Sequence, residues 1–136
     1  MVGGNGMNKV LTLASRYADE WNAIHRTPDQ FLALNNHLDL LLDEAGRSRK
    51  AVRRSVMTAL FFSETQAGLD ELLGTHQARE LWGRGVLVGC AAEVLDQIHA
   101  LSQAGVERVI IQWPDLNNYD LLESFSKQVL SRVETN

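Results

Sequence analysis

Three observations predict an α/β fold built on parallel strands. Strand-like and helical segments alternate strictly along the chain, from a strand end at the N-terminus to a helix at the C-terminus. The run Ser55-Val56-Met57-Thr58-Ala59-Leu60-Phe61-Phe62 is apolar on both alternating faces, the pattern of a strand covered on both sides. Thr27-Pro28-Asp29-Gln30 places a cap threonine, a proline at the first helical position and a glutamine three residues after the cap, which opens a helix. Parallel strands joined by right-handed helical crossovers satisfy all three.

The elements follow in order. Met1-Val2 ends a strand, and Gly3, Gly4 and Gly6 make a loop. A helix over Asn8 to Tyr17 places Val10, Ala14 and Tyr17 on one face. Asp19 to Ile24 is a short strand containing Trp21. The helix opened at Thr27 runs to about Ala45, with the stripe Phe31, Leu34, Leu38, Leu41 and Ala45, and Gly46 stands where a left-handed stop belongs. Ser48 caps a short turn through Val52, ahead of the strand Ser55–Phe62. Thr65 to Leu73 is a helix closed by Gly74, and His76 to Trp82 adds a turn or two before Gly83 or Gly85. Val86-Leu87-Val88-Gly89 leads into a helix from about Ala91 to Gln103, closed by Gly105. Val106 to Trp113 is a β-branched strand that Pro114 ends. Leu121 to Val133 is a last amphipathic helix. The result is one domain over 1–136 holding four β/α units.

Composition narrows the function. The 136 residues carry 13 basic and 17 acidic groups, a net charge of −4, so no basic excess drives binding to nucleic acid. The densest basic run, Arg47, Arg49, Lys50, Arg53 and Arg54, is read as a solvated face. One cysteine, Cys90, excludes an intrachain disulfide and a multi-cysteine zinc site. No apolar stretch reaches the ~18 residues of a membrane span, and Met1 to Gly6 lacks the charged and apolar regions of a signal peptide. A cytoplasmic setting is expected.

The candidate sites are loops at strand ends. In Gly3-Gly4-Asn5-Gly6, glycines let backbone N–H groups approach a phosphate while the following helix adds partial positive charge; a tight structural turn is the competing reading. The third glycine of a dinucleotide fingerprint is missing, and the loop is not a Walker loop. Trp21 and Asn22 near the end of one strand, with His25 and Arg26 beyond it, and Gln112 and Trp113 on the last strand, are pocket candidates. The scattered histidines show no metal-ligand spacing, and no serine stands in a nucleophile elbow. No metal site is expected and no catalytic residue is assigned.

Several segments together resemble one family: Val2-Gly3-Gly4-Asn5-Gly6; Leu13-Ala14-Ser15-Arg16-Tyr17-Ala18-Asp19-Glu20-Trp21-Asn22; Arg54-Ser55-Val56-Met57-Thr58; Val88-Gly89 with Glu93-Val94; and Ala104-Gly105-Val106-Glu107-Arg108-Val109. They resemble the C-terminal half of the bacterial-luciferase-like oxidoreductases. The resemblance implies the C-terminal half of a TIM-type (β/α)8 barrel and hydride transfer or monooxygenation with FMN or the deazaflavin coenzyme F-420. It implies a cofactor phosphate held at Gly3, Gly4, Asn5, Gly6 and Met7. A full barrel takes ~250 residues, so the chain is expected to begin inside the fifth strand and to show little turnover as an isolated monomer. A homodimer, or a partner carrying the N-terminal half, would close the barrel. The alternatives are a non-catalytic half-barrel that self-associates or binds a partner, and a truncated reading frame. Where the family's Val-Gly is followed by threonine or serine, this chain has Cys90.

Overall fold

A computed structural model describes residues 1–113, 115 and 117–133. Its strands are β1 (Val2–Gly3), β2 (Glu20–Ile24), β3 (Arg53–Phe62), β4 (Leu87–Gly89) and β5 (Arg108–Gln112). Its helices are α1 (Val10–Tyr17), α2 (Pro28–Glu44), α3 (Gln66–Leu73), α4 (Ala78–Gly83), α5 (Ala91–Gln103) and α6 (Tyr119–Gln128), with 3-10 turns at Arg49–Ala51 and Leu130–Arg132. Every strand pairing is parallel. β3 pairs with β2 over Arg53 to Met57 and with β5 over Ser55 to Ala59. Those spans overlap, so β2 and β5 occupy opposite edges of β3. The α/β expectation holds, with one strand more than the four counted from sequence. The extra strand, β4, is three residues long and pairs with Leu60–Phe62, where β3 outruns its longer neighbours.

The helix signals act as expected. Thr27 and Gln30 form a reciprocal capping box at α2, and Gly46 ends it at φ 67°. Ser48 accepts from the Lys50 N–H and starts the 3-10 turn. Thr65 caps α3, and Gly74 closes it at positive φ.

The buried faces differ in detail. In α1, Leu11, Ala14 and Ser15 are buried and Tyr17 is 75% exposed, because the helix turns its other side to the sheet. In α2 the stripe ends at Leu42 rather than at Leu41 and Ala45. β5 begins at Arg108, although Val106 is still buried. The last helix starts two residues early and tightens into the 3-10 turn before Val133. Pro114, expected to end β5, lies outside the described residues.

Register sorts the sheet into two faces, since paired residues in parallel strands point the same way. Trp21, Ala23, Val56, Leu60 and Phe62 face the helices and are buried. Trp21 stacks on Phe31 of α2 at 5.2 Å, and Phe62 and Trp113 both meet Phe125 of α6. The opposite face is built in rows: Gly3, Asn22, Ser55 and Arg108; then Ile24, Met57 and Ile110; then Ala59 and Gln112. Ile24, Met57 and Ile110 are half-buried and belong to neither buried cluster. The expectation that β3 is covered on both sides is therefore corrected. Among the described residues its helix face is closed, while its other face is covered at Ser55 and packed by α3 at Phe61, with Met57 and Ala59 between them half-buried.

The basic run is also corrected, because two of its members are structural. The Arg47 guanidinium donates to the carbonyls of Ser15 and Ala18, each at 2.9 Å, and satisfies the C-terminal end of α1. Arg54 is 7% exposed. It donates to Asn35 Oδ1 at 3.0 Å, to the Asp39 carboxylate, and to the carbonyls of Arg49 and Val52. Spacing alone does not separate these from Arg49, which is exposed and pairs with Asp43. Arg54→Ala is expected to cost roughly 3–5 kcal/mol, because it leaves Asp39 and two carbonyls without their buried donor. Arg49→Ala is expected to cost far less, because its pair with Asp43 stands in water. Urea denaturation of the two variants tests the contrast, and equal losses would contradict it.

Candidate functional site at the C-terminal strand ends

Parallel pairing brings the C-terminal ends of all five strands to one edge of the sheet, where loops collect polar groups. The glycine loop lies there, after β1, and β2 holds it firmly. Gly4, at φ 123°, donates its N–H to the Asn22 carbonyl at 2.9 Å. The Gly4 carbonyl accepts from the Trp21 indole N–H at 2.9 Å. Asn5 then acts as a one-residue strand: Nδ2 donates to the Ile24 carbonyl and Oδ1 accepts the Ile24 N–H, both at 2.9 Å. A side-chain amide thus extends the β1–β2 ladder beyond the last backbone pair.

Beyond Asn5 the loop exposes donors. Among the described residues no protein acceptor meets the N–H groups of Gly6, Met7 or Asn8, while the Gly6 carbonyl accepts from Val10 and Leu11. Gly6 and Met7 are exposed. Lys9 stands at the N-cap of α1 with no side-chain cap hydrogen bond, and the first turn holds no acidic residue. Free N–H groups at an uncapped helix start suit an anion such as a phosphate.

The four pocket candidates separate. Trp21 is fully buried on the helix side, so it shapes the glycine loop from behind and lines no pocket. Trp113 also faces the helices, against Phe125, and its indole N–H donates to the Asp115 carbonyl. Asn22 lies on the open face, is 5% exposed, and donates to Ser55 Oγ at 2.9 Å. Gln112 shares that face near its upper rim and is exposed. Strand alternation separates these neighbours: adjacent residues point to opposite faces, so each pair contributes one residue to the open side.

A cluster that local sequence does not reveal lies at the end of β2, one residue past the Ile24 that Asn5 grips. His25 follows β2, and its Nδ1 lies 3.3 Å from Thr58 Oγ1. Thr58 Oγ1 donates to the Gly85 carbonyl at 2.6 Å. These residues are separated by 33 and 27 positions, and only the sheet joins them. Elsewhere, burial and the carboxylates of Glu93 and Asp70 push the Cys90 thiol up, away from reactivity. Among the described residues no group of His, Cys, Asp and Glu is placed to hold a metal ion, and no helix is long and apolar enough to cross a membrane. Two shallow depressions, of about 340 and 480 Å³, lie beside Glu64 and α6 and beside Glu20 and Arg53; neither is lined by the glycine loop.

Asn5→Ala is expected to destabilise the chain by about 1–3 kcal/mol, since it removes two hydrogen bonds and leaves the Ile24 amide unpaired. Urea denaturation measures the loss. An effect below that range would mean that Asn5 does not hold the loop.

No family model matches the sequence, and no curated protein matches it. Solved structures do match. The coenzyme F-420-dependent tetrahydromethanopterin reductase of Methanopyrus kandleri superposes over 97% of this chain and 50% of its own, with a TM-score of 0.71 and 18% identity. EDTA monooxygenase from a Chelativorans species matches over 96% and 45%, with a TM-score of 0.75 and 16% identity. The oxygenating constituent of 3,6-diketocamphane monooxygenase from Pseudomonas putida, solved with FMN, matches over 97% and 48%, with a TM-score of 0.72 and 17% identity. The chain therefore has the fold of part of these luciferase-like monooxygenases and F-420-dependent reductases. It spans half their length or less.

Proposed function

We propose that this chain is the cofactor-phosphate side of a flavin- or deazaflavin-dependent oxidoreductase, and that it works joined to a complementary half. One observation carries the reading. A glycine loop with unpaired N–H donors is pinned at a strand end, in a fold shared with an FMN-bound enzyme and F-420-dependent enzymes.

In this reading the backbone N–H groups of Gly6 and Met7 hold the phosphate of FMN or coenzyme F-420. Gly3 and Gly4 keep the chain low, and Asn5 sets the loop's shape through Ile24. The cofactor supplies hydride transfer or oxygen insertion when bound. Asn22 and Gln112 contribute polar groups to the face the cofactor would share, and no residue of this chain is assigned as acid or base. A chain with one free cysteine also fits a cytoplasmic setting.

The half-covered row Ile24, Met57 and Ile110 supports the second part of the proposal. An apolar sheet face of this kind is covered in a closed barrel. The cover would be a second copy of this chain or a partner carrying the other half. The same row favours the alternative reading, a non-catalytic module that self-associates.

Titration with FMN and with coenzyme F-420, followed by cofactor fluorescence and Tm, tests the binding claim. A rise in Tm that Gly4→Val abolishes is expected, because valine is strained at the φ of residue 4 and lies against Val10. A folded chain unresponsive to both cofactors at about 1 mM would end cofactor binding by this chain alone, since affinity that weak is worth only ~4 kcal/mol. Light scattering tests association. The expected result is a dimer or higher species that Met57→Glu shifts toward monomer; a monomeric wild type would refute self-association.

A further inference from the structure

His25 is the one non-glycine residue among those described with a positive φ, 45°. Left-handed backbone is costly for a residue with a Cβ, and it persists where its surroundings over-determine it. Four contacts do so here. The preceding residue, Ile24, is clamped on both its N–H and its carbonyl by Asn5. The His25 N–H donates to the Met57 carbonyl at 3.0 Å. The His25 carbonyl accepts from the Arg26 guanidinium at 3.3 Å. The ring nitrogen Nδ1 meets Thr58 Oγ1.

The last contact decides which ring nitrogen carries the proton. Thr58 has a single hydroxyl hydrogen. Its oxygen lies 2.6 Å from the Gly85 carbonyl oxygen, a separation two oxygens tolerate only with a hydrogen between them. The Gly85 carbonyl cannot donate, so the Thr58 proton points at it. Thr58 Oγ1 is then an acceptor toward His25, and Nδ1 must carry a hydrogen to complete the bond. Gly85 is held at this spot by close packing: at φ 76°, a Cβ there would come within 2.6 Å of the His25 carbonyl carbon. In neutral His25, Nε2 is therefore the bare nitrogen. Nε2 has no hydrogen-bond partner among the described residues, and no buried side-chain nitrogen or oxygen among them lacks one. Nε2 is thus open to solvent.

We propose that His25 is a ligand-contacting residue of the strand-end site, offering bare Nε2 as acceptor to an O–H or N–H group of the molecule held at the glycine loop. Thr58 and Gly85 are positioning residues that set the tautomer. The loop and the histidine are coupled through one amide group, because Asn5 grips the residue that precedes His25. The inference rests on the glycine loop being the ligand-binding end, and it adds a side-chain contact to that backbone site.

The experiment uses the full chain with FMN as the probe. Imidazole nitrogen and carbon NMR shifts are expected to report the Nδ1–H tautomer for His25, and Thr58→Val is expected to lose that preference. His25→Asn keeps a residue that tolerates left-handed backbone, and a thermal melt confirms that it folds. It is expected to bind FMN roughly threefold to tenfold more weakly, the loss of one hydrogen bond. His25→Gly, which relieves the backbone strain, is expected to show the same loss. An Nε2–H tautomer in the wild type, or wild-type affinity in both folded variants, overturns the proposal. The probe is changed to coenzyme F-420 where the wild type does not bind FMN, and a wild type that binds neither overturns the glycine-loop reading and this contact together. A wild type that binds FMN while the His25 variants bind equally well overturns this contact alone.

Discussion

The ten-residue strand β3 is the constraint on which the rest of the structure depends. It pairs in parallel with β2, β4 and β5, and no other strand has more than two partners. Parallel pairing requires each connection to cross back over the sheet, which brings every strand's C-terminal end to one edge, with the main core on one face and α3 against Phe61 and Val88 on the other. Arg54 is the device that fixes β3 against α2. Its guanidinium joins the strand to Asn35 and Asp39 of the helix and to the turn before the strand. Gly105 packs at the same point, where a Cβ would come within 2.6 Å of Asn35 Nδ2. The approach to β5 is therefore held close by the same helix residue that receives Arg54.

The strand-end edge inherits its order from that frame. β2, positioned by β3, carries both the hydrogen bonds that shape the glycine loop and the strained residue that follows Ile24. A loop that would otherwise be free at a short edge strand becomes a fixed cradle. Its donors, beyond Asn5, are left unpaired. The strength of the scaffold and the availability of the N–H groups thus have one origin: Asn5 uses its side chain, and not the following backbone, to finish the ladder. On the open face, polar pairs line the lower part of the sheet, with Asn22 on Ser55 and Arg108 on Glu20 at 3.3 Å. The apolar row above them lies nearer the strand ends.

Much of the fold is legible in sequence because it is written in local signals. The capping box at Thr27 and Gln30, the stops at Gly46 and Gly74, and the β-branched run Val109-Ile110-Ile111 each act within a few residues. β4 was not legible, because three residues carry no periodicity and their extended form comes from pairing with the overhang of β3. Arg47 and Arg54 read as surface charge for the same reason: their acceptors lie on other elements. At the site, the glycine loop was visible as a pattern. Which of Trp21, Asn22, Gln112 and Trp113 faces the open side was not, since it depends on register rather than on residue type.

The sequence by itself determined the α/β class, the helix ends and the place of the glycine loop, because capping, turn chemistry and hydrophobic period act over a turn or a strand. Only the tertiary structure decided that one face of β3 is left half-buried at Met57 and Ala59, that Trp21 supports the loop from behind, and that His25 meets Thr58 and Gly85. Those outcomes join residues 17 to 33 positions apart, and the physical link between them is the parallel sheet, whose register no local pattern encodes.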